Sequence, residues 1–200
     1  MTKTRKSREI EIADRVEGML RRDIFSNQRF EIRRAYDLIP IDSNVEKSEL
    51  QLHVDEVPSL TAGEIANVDA LVLDKESGKV KLLLEYEQDT NPKNLIGNFL
   101  APFMANSYRS NYSKDKNDYY ALDKGITCFL LIVCLQRPRG KSNRELAPIQ
   151  KGEIVRKKLF GVVGKGIESS NILMGDIIIG DTLDYVEAKT RETLQSIVTK

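Results

Sequence analysis

Histidine and cysteine are nearly missing from this chain of 200 residues, which has one of the first and two of the second. With His53 as the single imidazole and no Cys-x-x-Cys pair, a structural zinc site lacks ligands, and histidine-driven chemistry has one unsupported candidate. Cys128 and Cys134 both fall in the apolar segment Ile126–Leu135. Along a strand, the steps between them at about 3.3 Å each hold the sulfurs roughly 20 Å apart. They cannot bridge each other and read as buried thiols of a reducing compartment. A charge excess is missing too: 31 bases face 30 acids, a formal net charge of +1. Overall charge therefore names no partner, and any nucleic-acid contact must come from a local basic patch. The longest apolar run, Ile126–Leu135, is too short for the roughly 20 residues a bilayer demands. The basic start Met1–Arg8 leads into no apolar stretch of the signal-peptide kind. These absences predict a soluble, cytoplasmic protein with no membrane partner. Without repeats or low-complexity linkers, residues 1–200 are expected to form a single domain.

What is present begins with helical spacing from Ser7 to about Arg22, where Ile10, Ala13, Val16, Met19 and Leu20 recur on one face. Glu9 and Glu11 near its start and Arg21 and Arg22 at its end suit the helix dipole. Glu31–Ile39 and Leu50–Val54 read as edge strands or loop. A hairpin follows: Val68–Leu73 and Val80–Glu87 are β-rich and flank a turn at Ser77 and Gly78. Pro92 opens a helix expected to run to about Tyr108, with Leu95, Phe99, Phe103 and Met104 on its apolar side. Arg109–Tyr120 is polar and tyrosine-rich and reads as a loop, whereas Ile126–Leu135 reads as a central strand buried on both faces. A basic loop at Gln136–Arg144, a helix at Gln150–Val163, a strand at Asp176–Ile179 and a closing helix from about Asp181 or Thr182 complete the chain. Helices at both ends around mixed strands predict an α/β fold, a mixed central sheet in an α/β/α sandwich.

The hairpin carries the chemistry. Asp69 and Glu85 are sixteen residues apart about a turn near Ser77, a register that sets them opposite each other with Cβ atoms about 5 Å apart. Side chains alternate along a strand, so Glu85 and Glu87 share a face while Leu84 and Tyr86 point the other way. Three acids at the end remote from the turn, beside Leu71 and Leu83, repel one another and lose hydration. A divalent cation removes the conflict, because hard oxygen ligands hold Mg²⁺ together with substrate phosphate. The plain alternative is a set of surface acids that face solvent or pair with Lys79, Lys81 or Lys93.

Val68-Asp69, the turn, and Leu83 through Glu87 resemble the signature of the PD-(D/E)XK nucleases, in which a hairpin delivers an Asp and then a Glu-x-Lys. Glu87 stands where that family usually has lysine, a departure similar to the BamHI-like type II restriction endonucleases. The resemblance covers about Val68 to Leu100. It implies a restriction-endonuclease-like domain, Mg²⁺-dependent hydrolysis of DNA phosphodiesters with Mn²⁺ as a substitute, double-stranded DNA as substrate and a homodimer. It further implies Asp69 and Glu85 as metal ligands and Glu87 as the group that positions or deprotonates the attacking water. Lys93, at the following helix start, is a second source for a catalytic cation.

Several other residues are candidates. Asn91 and Lys93 at a helix N-terminus suit phosphate or base edges, or form an ordinary N-cap with Pro at the first position. Arg137, Arg139, Lys141 and Arg144 suit a clamp on a DNA backbone or a solvated loop. Arg109, Tyr112, Lys114 and Lys116 interleave bases with aromatics as single-strand binding surfaces do. Glu64 is a further metal ligand or a loop acid; His53 reads as a structural strand residue, and Lys157 and Lys158 as a solvated face. Three functions compete: a sequence-specific restriction endonuclease, a repair or junction-resolving nuclease of the same fold, and a non-catalytic module binding DNA or protein.

Overall fold

A computed structural model describes residues 8–35, 50–54, 64–110, 119–135, 146–167 and 171–198. Helix α1 (Arg8–Met19) widens into a π-helical turn at Leu20–Ile24. Strands β1 (Phe30–Arg34), β2 (Leu50–His53), β3 (Glu64–Asn67), β4 (Ala70–Asp74) and β5 (Lys79–Glu87) follow. Then come α2 (Pro92–Met104), β6 (Ser107–Ser110), β7 (Tyr119–Ala121), β8 (Cys128–Cys134), α3 (Leu146–Ile167), β9 (Met174–Gly180) and α4 (Leu183–Val198). The fold is α/β. Five strands form one mixed sheet in the order β1-β4-β5-β8-β9, antiparallel across β1, β4 and β5 and parallel across β5, β8 and β9.

Parallel strands need crossover helices; here α2 and α3 make the crossovers and cover one face of the sheet, while α1 and α4 cover the other. Every residue of β8 is therefore buried, and its seven residues are apolar without alternation. On one face Ile12, Val16, Met19 and Leu20 of the first helical stretch and Val186 and Leu194 of α4 pack on Val72, Leu82, Leu84, Leu130 and Ile178. On the other, Leu95, Phe99 and Phe103 of α2 and Leu159 of α3 pack on Leu71, Leu83, Phe129, Leu131 and Ile177. Phe103 lies so close over β9 that a Cβ at Gly175 would meet its ring at 2.4 Å. Glycine there lets ring and backbone touch. The β4–β5 turn closes through the Gly78 N–H donating to the Asp74 carbonyl at 2.8 Å, with Gly78 at φ +65°, a region glycine enters at little cost.

Three expectations are corrected. First, α2 stops at Met104 rather than near Tyr108, because Pro102 removes a helical donor and Ala105 turns extended. Second, the stretch expected as a loop from Arg109 to Tyr120 begins and ends in strands. These are β6 and β7 of a four-stranded antiparallel sheet, β3-β2-β6-β7. Tyr108 is buried there and stacks on Tyr120 at 5.5 Å, while the Arg33 guanidinium covers Tyr120 at 5.4 Å. Third, β2 is internal to that sheet rather than an edge. Helix α3 is longer than its spacing predicts, and α4 starts one residue past Thr182, whose hydroxyl accepts from the Tyr185 N–H at 3.3 Å. Cys128 and Cys134 are buried and unbridged, and burial pushes the Cys128 thiol up to about 11. No helix among the described residues is long and apolar enough to cross a membrane.

Candidate active site

The site is built at the carboxyl end of β5, where the strand leaves the sheet. The pairing Ala70↔Leu84, Leu71↔Leu83 and Val72↔Leu82 sets the register. One step further the Asp69 N–H donates to the Leu84 carbonyl at 3.1 Å, so Asp69 stands across from Glu85. The Asp69 carbonyl in turn accepts from the Ala35 N–H at 2.7 Å, which ties the residue to the strand on its other side. Its side chain also replaces a missing ladder partner, Oδ2 accepting from the Tyr86 N–H at 2.8 Å. A β-bulge between Val72 and Leu73 absorbs the extra residue of β5 near the turn, far from the acids.

On β5, Leu83, Glu85 and Glu87 alternate onto the face that carries α2 and α3, while Tyr86 joins the opposite core beside α1. Glu85 and Glu87 neighbour Leu131 and Val133 of β8, both wholly buried, so their inner flank is apolar. Burial holds the Glu85 carboxyl well above the ordinary carboxylate range, and the charges of Asp69, Glu87 and Glu9 add to this against an opposing Asp69 backbone hydrogen bond. Burial likewise raises Glu87, reinforced by Asp89 and Glu9 and opposed by the Gln88 amide and Asn98. The Asn98 amide donates to Glu87 Oε1 at 2.6 Å, fixing the acid from the second turn of α2.

Two residues of this environment escape sequence reasoning. Glu9, explained locally by its helix dipole, reaches the acid end of β5 from the start of α1. Asn98 breaks the apolar stripe of α2 between Leu95 and Phe99, and that polar intrusion is the signal that marks it. Asn91 and Lys93 are exposed in the opening turn of α2, where the Asn91 side chain accepts from the Lys93 N–H at 3.0 Å as an N-cap. Arg137, Arg139, Lys141 and Arg144 lie outside the described residues, as do Tyr112, Lys114 and Lys116. Arg109 sits in β6 paired with Gln51 and Tyr119, Glu64 opens β3, and His53 ends β2.

Among the described residues no group of three or more His, Cys, Asp or Glu side chains is placed to hold a metal ion. Asp69 and Glu85 face each other, and Glu87 lies two residues further along, bound to Asn98. A facing pair suits Mg²⁺, which commonly takes one or two carboxylates and completes its shell with water and phosphate oxygens. Burial, and after it the charge of Asp69, makes ionisation of Glu85 costly, a cost that a bound cation would relieve. Set against known proteins, no family model matches the chain, and no curated protein or solved structure is significantly similar to it.

Proposed function

We propose that the chain is a Mg²⁺-dependent deoxyribonuclease of the PD-(D/E)XK kind, a sequence-specific type II restriction enzyme acting on double-stranded DNA as a cytoplasmic homodimer. One observation carries this reading: Glu85 is held against apolar strands, directly across from Asp69, with acids rather than bases as its charged neighbours. Structural pairs of acids are rare because they repel; a site built for a cation tolerates them. Asp69 and Glu85 hold the ion, and Mn²⁺ substitutes for it. When bound, Mg²⁺ supplies Lewis acidity toward a phosphoryl oxygen and a more acidic water. Glu87, fixed by Asn98, would orient the attacking water or take its proton. Asn91 and Lys93 at the α2 N-terminus, and Arg137, Arg139 and Lys141 beyond β8, contact DNA. The test is plasmid digestion with and without Mg²⁺, using wild type, Asp69→Asn and Glu85→Gln; a variant that cuts at the wild-type rate sinks the assignment. Discrete fragments support restriction, and structure-dependent cuts move the enzyme to repair or junction resolution. Comparing Glu87→Gln with Lys93→Ala decides which residue serves the water.

A second reading has its own support. Asp69 and Glu87 each accept a hydrogen bond from the protein, from the Tyr86 amide and from Asn98, as structural acids do. On that reading the domain is a non-catalytic module that binds DNA or protein. Calorimetric titration with Mn²⁺ separates the two, since the module binds no ion at these acids.

A further inference from the structure

The near-neutral net charge hides a division. Residues 136–167 carry nine lysines and arginines against two acids, in a chain whose formal net charge is only +1. The part of that segment with described side chains is most of α3. There Lys151, Lys157 and Lys158 are all exposed, with Ile154 and Val162 exposed among them at 56% and 82%. Glu153 is the only acid of α3, and it pairs with Arg156 at 3.5 Å, while Arg156 also binds Asp176 at 2.7 Å. Among the described residues no carboxylate pairs with Lys151, Lys157 or Lys158. Lys151 and Lys158 lie seven residues apart, about two turns or roughly 10 Å along one side of the helix. Elsewhere several bases have carboxylate partners, Arg191 with Asp23, Lys189 with Glu192 and Lys79 with Asp123, while Lys75 and Lys93 stand singly without one among the described residues.

The position of this face matters as much as its charge. Helix α3 begins beyond β8, whose carboxyl end adjoins Glu87 through the Glu87↔Val133 pair. Its first turns dock on Thr90, three residues past Glu87. The Thr90 hydroxyl donates to the Pro148 carbonyl at 3.0 Å, and a Cβ at Gly152 would meet Thr90 Cγ2 at 2.9 Å. We infer that the outer face of α3, through Lys151, Lys157 and Lys158, is a docking surface for the phosphate backbone of duplex DNA leading away from the acid site. Lysines on one helix face, with no carboxylate partner among the described residues, match a row of phosphates, and each contact releases counterions from the duplex. This inference rests on the nuclease reading for its choice of partner, and it replaces the solvated face expected for Lys157 and Lys158.

The test is fluorescence anisotropy of a labelled 30-base-pair duplex against salt, in EDTA so that nothing is cut. For Lys151→Gln/Lys157→Gln/Lys158→Gln, the slope of log affinity against log salt should fall by about two to three units, with binding weakened at least about tenfold at low salt. Lys75→Gln/Lys124→Gln/Lys189→Gln removes the same charge away from α3 and should leave the slope near that of wild type. Equal slopes for the α3 variant and wild type overturn the proposal, as does an equal loss in both triple variants. So does wild-type binding to vesicles of phosphatidylserine and phosphatidylcholine with no binding to duplex. If wild type binds duplex through α3 yet Mg²⁺ gives no cleavage, the nuclease reading fails and the docking surface stands.

Discussion

Asp74 and Glu85 sit at opposite ends of one hairpin and meet opposite surroundings. Asp74 is fully buried at the turn, where Arg29 grips both its oxygens at 2.8 and 2.5 Å and the Glu76 and Ser77 amides donate to it. Arg29 above all holds its carboxyl far below the ordinary range. Glu85 at the other end is moved the opposite way by burial and by its acidic neighbours. The buried acid is thus the contented one, and the half-buried acid is the strained one. Burial alone does not mark a functional carboxylate; the sign of its neighbours does.

The largest way to break this comparison acts on the strained end. Asp69→Asn or Glu85→Gln should lower Mg²⁺-dependent cleavage in a plasmid assay by more than about 10⁴, beyond what loss of one acid–base group removes. Glu87→Gln should retain DNA and metal binding and cut about 10² to 10⁴ slower, read from single-turnover rates. Metal itself should then stabilise the fold. At a hundredfold excess over Kd, Mg²⁺ adds about 2.7 kcal/mol by mass action, which for a chain of this size is a rise of about 5 to 10 °C in Tm. Asp69→Asn/Glu85→Gln should lose that rise while Asp74→Asn keeps it; an equal rise in every protein breaks the contrast.

The smallest effect belongs to the contented end. Asp74→Asn should lower the melting temperature by a few degrees at pH 7 and leave cleavage alone. Because the folded carboxyl lies below its unfolded value, its stabilisation is complete above that value and fades as pH falls through the lowered one. The gap in Tm between wild type and Asp74→Asn should therefore narrow below about pH 4. A constant gap down to pH 2 would mean that Arg29 contributes nothing through charge.

Local features were legible in the sequence and long-range ones were not. The hairpin could be read because two β-rich runs flank Ser77 and Gly78 within twenty residues. Strand β8 announced itself through seven apolar residues in a row. The small sheet did not, since β6 and β7 are short and mix Tyr, Arg and Ser, and the pairing of β6 with β2 bridges residues as far apart as Leu50 and Ser110. Pro102 marked the end of α2, yet Phe103 and Met104 continue the apolar side past it. Glu9 could not be placed at the site from sequence, because nothing local distinguishes a helix-start acid from one aimed at a distant strand end. Nor does the turn sequence reveal that Asp74 is held by Arg29 across the sheet.

One hydrogen bond carries a consequence for observing the molecule. The Tyr86 amide donates to a carboxylate of Asp69 rather than to a neighbouring strand. A ladder donor ordinarily reports on backbone pairing, but this one reports on the state of a side chain. Its proton resonance, far downfield when bonded to a charged oxygen, moves whenever Asp69 turns toward another partner. In a labelled sample a single peak then follows the acid pair in real time, without a substrate and without mutation, and its exchange with deuterium measures how firmly the pair is held.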